Sequence, residues 1–96
     1  MEQIEALQDA IREMHGCDSI YVESTHVHEM FRGKTVWEGI VETFELKDHP
    51  QAKYCYAWGH EREGNKRRYI AVLNIPPVGS PAEAVRAHIV AEMKKD

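Results

Sequence analysis

His26 and His28 stand one residue apart, and on an extended strand that spacing turns both imidazoles to the same side. Two neighbouring imidazoles are half of a zinc or copper site, for which His60, His49 or Cys55 would supply a third ligand. Two ligands without a recognisable second pair make an incomplete set. The reading adopted is therefore two solvent-facing histidines near a strand end, no bound metal and no cofactor. His26, His28 and His60 remain the candidate ligands.

The other reactive residue types form no constellation. Cys17 and Cys55 make neither a Cys-x-x-Cys motif nor a ligand-spaced pair, and they read as two inert, partly buried thiols. Glu38 and Glu42 fall on one side of a strand, but four residues separate them by roughly 13 Å, too far for a paired-carboxylate glycosidase site. The segment Pro76-Pro77-Val78-Gly79-Ser80 precedes a helix yet lacks the glycines of a phosphate loop. With no triad and no acid/base pair, the sequence leans away from an enzyme.

The elements that must position these residues read as helix, four strands, helix. Ile4, Leu7, Ile11 and Met14 recur at helical spacing over residues 3–15, and Gly16 can take the left-handed position that stops the helix. A strand is predicted over 19–31, then a tight turn at Arg32-Gly33-Lys34, then a strand over 35–46. The apolar phase of the first strand, 19–31, switches faces near Ser24-Thr25, which suits a β-bulge and points the histidines outward. Further strands are expected over 53–60 and 67–75, joined through Gly64-Asn65. The last helix, 81–95, opens with Ser80 as N-cap, Pro81 at the first position and Glu83 completing a capping box. Val85, Ile89 and Met93 form its predicted apolar stripe, and Lys94 and Lys95 suit its C-terminal end. The fold class is α+β: a four-stranded antiparallel meander flanked by two helices, both expected on one face of the sheet.

A chain of 96 residues has the size of one domain, so residues 1–96 are taken as a single unit. The hydrophobic fraction is 43% and the charged fraction 29%, a globular composition. No apolar run approaches the roughly 18 residues of a membrane span, and the acidic start is unlike a secretory signal. The expectation is a cytoplasmic protein with no membrane partner. The net charge of -4 argues against nucleic acid, although residues 1–48 are acidic and residues 49–96 are basic on balance. The element order resembles that of double-stranded-RNA-binding domains. This chain has a fourth strand, however, and Ser80-Pro81-Ala82-Glu83-Ala84 stands where such a domain would present cations to phosphates.

The strands are apolar on both sides. Tyr54, Tyr56 and Trp58 alternate with the small Cys55, Ala57 and Gly59. If both helices pack on the small-residue side, the three aromatics form an open interaction surface. The function expected on this reading is a non-enzymatic protein-binding or assembly module, engaging a protein partner or a second copy. The alternative is a small-molecule or metal-binding protein, or a small enzyme, with a histidine-containing pocket between sheet and helices.

Overall fold

The computed structural model describes residues 2–62 and 66–93. Its elements run α1 (Glu2–His15), β1 (Ser19–Phe31), β2 (Lys34–Leu46), β3 (Tyr54–Arg62), β4 (Lys66–Leu73) and α2 (Pro81–Met93). The strands form one antiparallel sheet in the order β1-β2-β3-β4, the meander that short connections favour. The turn residues Gly64 and Asn65, and Lys94 and Lys95 after α2, lie outside the described residues.

Local chemistry sets the element ends. Gly16 takes φ +71° and donates its N–H to the Arg12 carbonyl at 2.9 Å, closing α1. Arg32 and Gly33 both have positive φ, 53° and 79°, the two-residue hairpin whose twist matches that of the flanking strands. At the start of α2 the Ser80 hydroxyl accepts the Glu83 N–H at 3.2 Å, and Glu83 Oε1 accepts the Gly79 N–H at 3.2 Å. The fourth strand ends at Leu73, short of the predicted Ile75. Asn74 still donates its N–H to the Tyr54 carbonyl at 2.9 Å before the two prolines redirect the chain.

The two helices lie on opposite faces of the sheet, which corrects the expectation that they share one. Leu7 and Ile11 of α1 pack with Phe44, Cys55, Ala57 and their neighbours. Ala84 and Val85 of α2 pack with Val41, Tyr56, Trp58 and Ile70. Because alternate residues of a strand point to opposite sides, Ala57 and Trp58 belong to different cores. The physical reason is the apolar character of both faces of β3 and β4. Each face needs cover, and one helix per face supplies it.

A bulge does change the phase of β1, but at Val22 rather than at Ser24-Thr25. Tyr21 opposes Phe44 and Glu23 opposes Thr43, leaving Val22 as the extra residue. Before it, Tyr21 meets Phe44 edge-on beneath α1, with ring centroids 6.0 Å apart. After it, Val27 points into the α2 core. A second shift leaves Val36 unpaired between Thr35 and Trp37. No described helix is long and apolar enough to cross a membrane.

Candidate functional site

His26 and His28 are exposed on β1, on the side away from α2, as the bulge requires. They are engaged separately: His26 Nε2 lies 2.9 Å from Glu38 Oε2, and His28 Nε2 lies 2.6 Å from Thr35 Oγ1. His60 sits at the far end of β3, in register with Arg68 of β4. His49 is tied into its loop, its Nδ1 accepting the N–H groups of Gln51 and Ala52. Among the described residues, no three His, Cys, Asp or Glu side chains are grouped to hold a metal ion. Glu38 and Glu42 also go separate ways, Glu42 being buried and hydrogen-bonded by the Ser24 hydroxyl.

The aromatic surface needs correcting. Tyr56 is 6% exposed and Trp58 1% exposed, because α2 covers the face on which they lie. The Tyr56 hydroxyl is satisfied by the Asn74 side-chain amide at 2.8 Å. Tyr54 is half-buried, with the Lys53 ammonium 5.7 Å from its ring centroid. These three residues form core and its margin, and no open sheet face displays them.

Cys17 and Cys55 are free thiols. Burial pushes the Cys55 thiol up to about 12, and the neighbouring Cys17 adds to the shift. Burial also raises Cys17, with Asp18 contributing. Raised values work against thiolate formation, so neither residue has the electropositive setting of a nucleophile.

Among the concavities that border the C-terminal half of α2, two bring together chemically distinct sets of side chains. The first, of about 360 Å³, is an apolar cleft between α2 and the end of the β1–β2 hairpin. Met30, Phe31 and Val36 form the hairpin side, and Ile89, Val90 and Met93 the helix side. Phe31 is 60% exposed and Met93 72% exposed. The Glu29 carboxylate and the Arg86 guanidinium join the two elements across the cleft at 2.5 Å. Arg32 lies over the Phe31 ring, 5.2 Å from its centroid.

Sequence reasoning missed this cleft for two reasons. The helical stripe assigned Met93 inward, whereas the inward positions of α2 are Ala84 and Val85. The hairpin end also carries more apolar residues than its single cover can hide: Met30 and Phe31 just before the turn and the bulged Val36. That excess was the available signal.

The second concavity, also about 360 Å³, adjoins the first, with Ile89 and Met93 lining both. Trp37, Ile70 and Ile89 give it apolar walls, and His60, Arg68, His88 and Glu92 give it polar ones. His60 and Arg68 come from a register pair, so their side chains emerge together. His88 and Glu92 are one turn apart on α2 and face them. Arg68 Nη1 reaches Glu92 Oε1 at 3.4 Å, a long contact, and His88 Nε2 is 3.9 Å from the same oxygen. The His88 ring stands edge-on to Trp58, with centroids 5.7 Å apart. Of these polar residues the sequence reading singled out only His60. The i, i+4 spacing of His88 and Glu92 was the missed sign.

The chain matches no family model, no curated protein and no solved structure.

Proposed function

We propose that this chain is a non-enzymatic assembly module that acts through protein contacts, with the apolar cleft between the hairpin end and α2 as its contact surface and a second copy of the chain as its occupant. The observation that carries the reading is the clustering of five large exposed apolar side chains, Met30, Phe31, Val36, Val90 and Met93, at one place. Their bare area is on the order of 500 Å², at the upper end of what a lone monomer usually leaves uncovered. Half of a standard interface is about 800 Å², so the cleft plus a polar rim reaches the size a stable pair needs. Glu29 and Arg86 at the cleft, and Arg32 over the Phe31 ring, supply polar groups around it.

Shape supports a second copy. Phe31 of the hairpin end is 60% exposed and lines one side of the cleft, with Ile89 and Val90 on the other. A two-fold interface uses the same patch on both copies, and here each copy would set its exposed Phe31 against the other's cleft. The inert thiols and the absence of a metal-holding group among the described residues add nothing to a catalytic reading.

Light scattering on a sizing column tests the proposal. The expected mass is twice 11.1 kDa for the native chain and 11.1 kDa for Phe31→Asp, with both variants equally folded by circular dichroism. A native chain that stays monomeric at its highest soluble concentration would overturn it.

A further inference from the structure

We infer that the mixed pocket between β3, β4 and the C-terminal half of α2 is a binding site for a small carboxylate carrying an aromatic or branched apolar body. The site adjoins the apolar cleft and shares Ile89 and Met93 with it, but none of its polar residues lines the cleft, and the inference does not depend on the assembly reading. Its walls divide by chemistry. Trp37, Ile70 and Ile89 offer an apolar surface, the setting in which an uncharged ring or branched chain is desolvated. Among the described lining residues, His60, Arg68 and His88 are three nitrogen side chains beside one carboxylate, Glu92. Arg68 brings five N–H donors to this end and each imidazole brings another, a donor-rich setting that suits an acceptor-rich group.

Arg68 is the residue that fixes the class of anion. A guanidinium presents five donors in a planar fork that matches a carboxylate with two parallel hydrogen bonds. The Glu92 contact at 3.4 Å occupies one terminal nitrogen, and at a length where the bond is weak. An incoming carboxylate with better geometry competes with Glu92 for the fork. The register pairing of His60 with Arg68 puts the imidazole beside the same anion. A volume of about 360 Å³ sits at the low end for ligand pockets, which limits the guest to a small one.

The sequence contains two tryptophans, and both report on this pocket. Trp37 lines it, and Trp58 stands behind the His88 ring at 5.7 Å. Phenylacetate is the probe, with phenylacetamide as its neutral isostere, and tryptophan fluorescence and calorimetry follow the titration of the intact chain. Phenylacetate is expected to saturate, and phenylacetamide to bind about tenfold more weakly, the loss expected for a charge-assisted hydrogen-bond pair. Arg68→Gln should bring phenylacetate down to the level of the amide. Glu92→Gln should do the opposite and tighten phenylacetate, because it removes the internal competitor. A role for the two residues that is merely structural would move both variants in the same direction. Phe31 lines the apolar cleft and not this pocket, so Phe31→Asp locates the site by leaving the titration intact. The inference is overturned if acid and amide bind alike, if neither perturbs the tryptophans up to its solubility limit, if Glu92→Gln weakens binding as Arg68→Gln does, or if Phe31→Asp abolishes it.

Discussion

The indoles of Trp37 and Trp58 meet edge to face, with ring centroids 5.7 Å apart and planes at 67°. That arrangement sets the positive edge of one ring against the negative face of the other. Trp58 is the inner partner, closed over by α2, and Trp37 is the outer one. The pair ties β2 to β3 beyond the four residue pairs through which those strands are in register.

Trp58→Ala is therefore a core deletion. It should lower stability by about 3 to 5 kcal/mol, the range for removing a large buried aromatic. Urea denaturation followed by circular dichroism measures it. A change within about 0.5 kcal/mol would be the mark of a surface residue and would contradict the burial described here.

Ser80→Ala removes the hydroxyl that receives the Glu83 N–H at 3.2 Å. The expected cost is about 1 kcal/mol, the usual value for an N-cap. Glu83 also holds the Gly79 N–H, so Glu83→Ala should lose stability through the same cap. An unchanged denaturation midpoint in both variants would mean that α2 does not begin at this box.

Cys55 predicts a dependence on alkaline pH. Its thiol titrates near 9.0 when unconstrained and is held up to about 12 by burial, with Cys17 adding to the shift. Below pH 9 both folded and unfolded chains keep the proton, and this group adds no slope. Between 9 and 12 the unfolded chain releases the proton and the folded chain does not, so unfolding gains. Stability should fall through that window by at most about 1.4 kcal/mol per pH unit from this residue. The comparison of the native chain with Cys55→Ala isolates the effect from other groups that titrate there. Parallel stability curves above pH 9 would refute it.

Much of the architecture was legible in the residues that permit one local conformation. Gly16, the Arg32-Gly33 pair and the Ser80-x-x-Glu83 box each mark an end that the structure confirms. The side of the sheet taken by each helix was not legible in the same way. Sequence showed that Cys55/Ala57 and Tyr56/Trp58 point to opposite faces, but a helix's own stripe does not name the face it covers. The apolar character of both sides was itself the clue that both would be covered. The site suffered more. His60 was picked out without His88, Arg68 or Glu92, because the pocket exists only once β4 and α2 are brought alongside β3.

The extra residue at Val22 acts as a reading-frame device within one strand. Side chains along a strand alternate in a binary code, and a single insertion inverts every later digit. Upstream of Val22 the odd-numbered positions belong to the α1 side; downstream, Thr25, Val27 and Glu29 belong to the α2 side. Deleting that one residue would restore a uniform frame and rotate the next seven positions half a turn. Val27 would leave the core, and His26 and His28 would be driven beneath α2, where imidazoles have no partner waiting. A site some distance from any pocket thus decides which side chains the whole outer half of the hairpin presents, and a one-codon change there is a larger event for this fold than most substitutions in its core.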